Sequence, residues 1–177
     1  LTTLERKHTA AEALARIQRC SEFFSNISVD MIFGVPGQSP ESWQQTLNVA
    51  TSLPVSHIST YGLTYETGTA FHSNERKGVL RRVPEESERQ MYLSAIDHCR
   101  DHGFTHYEVS NFARPGRACR HNRTYWQADE YYAYGPGAAR YLNGIRSTNS
   151  RNVTGWMKSW LAGQPCETDV EQLSAED

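Results

Sequence analysis

The stretch RHNRTYW, Arg120 to Trp126, gathers an imidazole, a carboxamide, two guanidiniums, a hydroxyl and two large aromatic rings into seven residues, with no helical or strand period visible. Those types suit a flat, charged ligand. Imidazole is an axial iron ligand, aromatic rings stack on a flat macrocycle, and arginine forks bind carboxylates in two-point geometry. Arg117, Arg120, Arg123 and Arg140 lie near enough in sequence to serve the propionates of such a ligand. A packed loop would use the same residues differently: Tyr125 and Trp126 fill an apolar gap, Asn122 satisfies backbone groups, and His121 is a hydrogen-bonded polar neighbour. Nucleic acid is a third partner for arginines and aromatics, but the chain has a net charge of -2 and only three lysines, which argues against it. Composition alone leaves these alternatives open.

Asp30 is the second candidate. It sits in an otherwise apolar run, Ile27 to Phe33, where an unpaired carboxylate is costly, so a partner is expected. Ligands of α/β folds gather at the carboxyl ends of parallel strands, and a carboxylate there suits a ribose diol, whose two hydroxyls both donate to it. A buried aspartate capping the next loop is the equal alternative. That loop, Gly34-Val-Pro-Gly-Gln38, matches neither the phosphate-binding GK[ST] pattern nor GxGxxG. Glu66 and Glu108 also fall at or near strand ends, so three carboxylates converge on one rim, and acid–base work by a pair of them depends on their separation. His8, His72, His98, His102 and His106 read as surface residues without a metal spacing. The four cysteines, Cys20, Cys99, Cys119 and Cys166, contain no CxxC pair and read as reduced structural thiols.

These residues need elements to position them. Thr9 and Glu12 form a capping-box pattern for a helix from about Ala10 to Phe24. A strand at Ile27 to Phe33 follows, then a helix with Ser39 as cap and Pro40 in its first turn, running to about Ser52. His57 to Tyr65 is a second strand, Glu85 to His102 a helix opened by Pro84, and Thr105 to Ser110 a third strand. Strand, helix, strand, helix, strand is the order of parallel α/β architecture. Beyond Phe112 the chain becomes rich in Gly, Arg and Tyr, with an Asn143-Gly144 hairpin turn and a short helix over Val153 to Leu161, whose Trp156 and Trp160 are expected to serve a core.

With 177 residues, 38% hydrophobic and 21% charged, the chain has an ordinary globular composition. Charge is uneven: seven arginines against Asp129 and Glu130 between Arg114 and Arg151, then five acidic residues and no basic one from Cys166 to Asp177. No apolar run reaches the roughly 18 residues of a membrane span and no secretory leader is visible, which points to the cytoplasm. The start at Leu1 and the helix-cap pattern at Ser174 suggest an excised fragment.

In combination, ISVDMIFGVPGQSPESW, HISTYGLTYETGTAF, HYEVSNFARPG, RHNRTYW and YGPGAAR, in this order, resemble the HemW-like haem chaperones. These are radical S-adenosylmethionine proteins related to oxygen-independent coproporphyrinogen III oxidase, and the resemblance runs from Leu4 to Glu176. It implies an α/β fold, the second half of a partial (β/α)6 radical SAM barrel over residues 1–113. An Arg/Tyr-rich appendage would follow over 114–165, and the acidic start of a truncated C-terminal region over 166–177. It also implies that Asp30 contacts the ribose of S-adenosylmethionine, that Arg6 helps bind its methionine end, and that Leu63 and Thr64 border the adenine. His121 becomes the haem-iron ligand, with Asn122, Tyr125 and Trp126 around it. The CxxxCxxC loop that holds the family's 4Fe–4S cluster is absent, so the resemblance places the cluster ligands outside this sequence and predicts no cofactor cleavage by the fragment alone. The implied role is haem binding and delivery to haem-requiring proteins, without a transmembrane segment but with room for peripheral membrane association. The alternatives are coproporphyrinogen III dehydrogenase, which decarboxylates propionates oxidatively, and a subunit interface on Arg114 to Asn149.

Overall fold

The computed structural model describes residues 2–173, so the expected helix start at Ser174 lies outside the described residues. The chain divides into two compact units, Leu1–Ala118 and Cys119–Asp177.

In the first unit the caps form where local chemistry requires them. Helix α1 (Ala10–Ser21) opens with Thr9 Oγ1 accepting from the Glu12 N–H at 3.2 Å while the Glu12 carboxylate accepts from the Thr9 N–H at 2.7 Å. It stops before the expected Phe24, because the N–H groups of Phe23 and Phe24 both turn back to the Cys20 carbonyl. Strand β1 (Ser28–Phe33) leads into α2 (Pro40–Ser52), where Ser39 caps the Ser42 N–H and Pro40 occupies the first turn. Strand β2 (His57–Gly62) follows, shorter than the expected run to Tyr65. The polar loop beyond it contains a short helix, α3 (Ala70–Arg76), and then comes α4 (Glu85–Asp101).

The third strand departs from expectation. The run read as one strand is β3 (Thr105–Glu108), a turn at Val109 and Ser110, and then β4 (Asn111–Ala113). The turn is closed by the Glu108 carboxylate, which accepts from the Ser110 N–H at 3.1 Å. Strand β4 inserts between β2 and β3, giving the order β1-β2-β4-β3, with β1 and β2 parallel and β4 antiparallel to both neighbours. The expected all-parallel sheet is therefore a mixed one.

One face of this sheet is apolar. Met31, Phe33, Ile58 and Phe112 pack against Trp43 and Leu47 of α2 and Met91, Ala95 and Cys99 of α4. Burial pushes the Cys99 thiol up to about 11, which marks it as an inert core group. Because strand side chains alternate, Ser28, Asp30, His57, Ser59, Asn111 and Ala113 belong to the opposite face.

The second unit opens with α5 (Arg120–Trp126). Strands β5 (Ala139–Leu142) and β6 (Ile145–Asn149) form the expected hairpin, with Asn143 and Gly144 at φ 53° and 76°, the left-handed pair of a type I′ turn. After α6 (Val153–Leu161), strand β7 (Glu167–Gln172) pairs antiparallel with β6. The uneven charge seen in the sequence is resolved here: Arg140 pairs with Glu167 at 2.9 Å and Arg146 with Glu171 at 2.6 Å. Trp156 and Trp160 do not serve a core as expected. They stack on each other, centroids 6.0 Å apart, with Trp160 67% exposed.

Candidate functional site

On the first unit's polar face, strand register assembles a row. Asp30 on β1 lies opposite Ser59 on β2, Ser59 opposite Asn111 on β4, and Asn111 opposite Glu108 on β3. Asp30 is exposed, which removes the cost that led us to expect a protein partner for it. Ser59 and Asn111 are 4% exposed. The Asn111 side-chain N–H donates to Glu108, and its Oδ1 is buried without a partner. Asp30 and Glu108 are three strand spacings apart, about 14 Å between backbones, too far for a paired acid–base mechanism. Glu66 is exposed in the loop beyond β2, outside the strand row that holds Asp30 and Glu108.

A second row was not legible in the sequence. Ser28 Oγ lies 2.9 Å from His57 Nδ1, and Tyr107 Oη lies 2.7 Å from His57 Nε2. His57 and Tyr107 meet across β4, where Ala113 stands opposite His57 and is small enough to be bridged. Burial lowers the His57 pKa from its ordinary value, opposed by the nearby negative charges of Asp30 and Glu108. A histidine held neutral in the fold binds its proton more readily when unfolded, so its contribution is present above the unfolded value, near 6.5, and is lost as pH falls through the lower folded value. Melting the full-length protein at pH 7.5 and 5.5 should show a loss of Tm on acidification, smaller in His57→Gln; equal losses would remove His57 as a contributor.

Among the residues predicted to hold S-adenosylmethionine, Asp30, Leu63 and Thr64 come from adjacent parallel strands or the residues just after them. The Leu63 N–H donates to the Phe33 carbonyl at 2.9 Å, tying the end of β2 to the end of β1. Arg6 stands exposed ahead of α1, and no ion pair or hydrogen bond joins it to them among the described residues. The open Asp30 carboxylate is an acceptor of the kind that fits the hydroxyl donors of an adenosyl group, and the buried, unpaired Asn111 Oδ1 lies two strands away on the same row. The cysteines do not fit a 4Fe–4S cluster: Cys20 is exposed at the end of α1, Cys99 is buried in α4, and Cys119 and Cys166 belong to the second unit. Among the described residues no group of three His, Cys, Asp or Glu could hold a metal ion.

In the second unit, RHNRTYW is a helix and not the aperiodic loop expected. At about 100° per residue, the i, i+4 pairs His121/Tyr125 and Asn122/Trp126 lie on two faces roughly 100° apart. His121 is exposed, and its ring stands at 88° to that of Tyr125, centroids 4.9 Å apart. Arg120 and Arg123 are exposed on the same helix, whereas Arg140, expected among the propionate ligands, is committed to Glu167 and to Ser147 Oγ at 2.8 Å.

No protein-family model matches the chain. It is 37% identical over 150 residues to Heme chaperone HemW of Bacillus subtilis (strain 168), covering 84% of this chain and 40% of that protein. It is 32% identical over 177 residues to Heme chaperone HemW of Mycobacterium tuberculosis, covering 99% and 45%. It is also 39% identical over 139 residues to the mitochondrial radical S-adenosyl methionine domain-containing protein 1 of Mus musculus, covering 78% and 31%. Among solved structures, the radical SAM coproporphyrinogen III oxidase HemN of Escherichia coli superposes with a TM-score of 0.75 at 15% identity, over 98% of this chain and 43% of that one. The chain thus spans less than half the length of these relatives. Its fold is part of a radical SAM domain. The chain belongs to the HemW/HemN-like radical SAM family.

Proposed function

We propose that the full-length protein is a haem chaperone: the second unit binds haem through His121 and the protein passes it to haem-requiring proteins. The observation that carries this reading is the exposed His121 imidazole. It makes no hydrogen bond among the described residues, stands upright against Tyr125, and has Arg120 and Arg123 one turn or less away on the same helix. An iron-binding imidazole needs a free nitrogen and a fixed ring plane, and propionates need unpaired guanidiniums. The similarity to proteins named heme chaperone supports the same reading.

S-adenosylmethionine would occupy the polar face of the first unit, with Asp30 accepting from its ribose and Leu63 and Thr64 bordering the base. The cofactor supplies an adenosyl group activated by its sulfonium; the residues of this chain bind and orient it. Family membership makes a 4Fe–4S cluster the expected companion, with its ligands outside this chain.

Haem titration of the full-length protein and of His121→Ala tests the reading. The variant should lose or shift the Soret band, and identical spectra would remove His121 as the ligand. Anaerobic incubation with coproporphyrinogen III should yield no protoporphyrinogen at a catalytic rate; such a yield would replace the chaperone by the oxidase.

A further inference from the structure

Helix α5 has seven residues, no side-chain cap at Cys119 and no buried side chain. Two turns of helix are marginal without outside packing, so α5 by itself cannot hold the His121 ring in one plane. The packing comes from a ladder of rings. Tyr125 stands 4.9 Å and 88° from His121, Tyr131 stands 4.5 Å and 61° from Tyr125, and Tyr141 lies 6.4 Å from Tyr131. Its far end is fixed by backbone: the Tyr131 N–H donates to the Tyr141 carbonyl at 2.9 Å and the Tyr141 N–H donates to the Tyr131 carbonyl at 3.0 Å. Next to this bridge, Glu130 accepts from the Asn143 N–H at 2.6 Å and holds the hairpin turn. The ladder therefore runs from the β5–β6 hairpin to the imidazole.

We infer that Tyr131 is a positioning residue for the haem ligand: its ring backs Tyr125, which sets the plane of the His121 imidazole. Tyr131 lies outside the helix, and among the described residues its ring meets that of Tyr125, which in turn meets His121. This inference rests on the reading of His121 as the iron ligand. Edge-to-face ring packing carries the position, because such pairs have a preferred geometry that aliphatic chains of similar volume lack. The phenol hydroxyl is not required.

Haem binding and the ferric haem electron paramagnetic resonance spectrum of the full-length protein test this, with far-UV circular dichroism reporting the fold. Tyr131→Phe should retain wild-type affinity and spectrum. Tyr131→Leu and Tyr131→Met should weaken haem binding roughly 2- to 10-fold and broaden the spectrum, as expected for the loss of one aromatic pair. Tyr132→Leu, at an exposed ring off the ladder, should change neither. Methionine fills the space flexibly, so that variant keeps the test open if leucine perturbs the fold. Wild-type affinity and spectrum in a folded Met or Leu variant would overturn the inference, as would a Phe variant that behaves like Leu. If His121→Ala itself leaves the spectrum unchanged, the haem reading falls first and this inference with it.

Discussion

Replacing Trp43 by alanine should destabilise the first unit by about 3–5 kcal/mol, the cost of emptying a large aromatic site in a packed core. Trp43 is fully buried between α2, α4 and the sheet, 5.7 Å from the ring of Phe33, and its indole N–H donates to the Met91 carbonyl at 2.8 Å. It joins the helix after β1 to the helix before β3. Domains are commonly stable by only about 5–15 kcal/mol, so this loss would remove much of the margin. Trp43→Phe should cost much less, because the ring volume largely remains and Ser94 Oγ still donates to the Met91 carbonyl at 2.8 Å. Urea unfolding followed by circular dichroism measures both; a midpoint for Trp43→Ala near that of the wild type would show that the core does not depend on this indole.

Asp30→Asn should have the opposite profile, little change in stability and a large loss of cofactor binding. The carboxylate is exposed, so its removal leaves no buried group unpaired. Hydrogen bonds to a charged acceptor are worth about 1.5–3 kcal/mol, which corresponds to roughly a 10- to 150-fold weaker affinity for S-adenosylmethionine. Equilibrium dialysis of the full-length protein measures it. Wild-type affinity in the variant would return Asp30 to a role in the sheet alone, where its charge opposes the lowering of the His57 pKa by burial.

What was legible in the sequence was local. Ser39 and Pro40, Thr9 and Glu12, and Asn143-Gly144 announce themselves because their hydrogen bonds and dihedrals close within four residues. Partners far apart in the chain were not legible. His57 meets Ser28 across 29 positions and Tyr107 across 50, and nothing in the residues around it signals either contact. The turn between β3 and β4 carries no Gly or Pro, only Glu108 reaching the Ser110 N–H, so two strands read as one. In α5 the helical spacing of His121 and Tyr125 was present, but without an aliphatic stripe it did not register as a period. The resemblance to haem chaperones singled out His121, and the ladder behind it came only from the fold.

Strand β4 has a kinetic consequence. A parallel neighbour for β2 would have to be reached by a long crossover before any of its pairing was gained, and such non-local closure is slow. Here β3 and β4 close on each other through two residues, so this hairpin can form on the microsecond timescale of local turns. It can then dock β4 onto β2 as a preformed piece. The slow step is then the docking itself: β4 meets β2 across 52 to 56 positions, against 29 for β1 and β2, so a delay there would leave the row from Asp30 to Glu108 unmade while the hairpin was already in place.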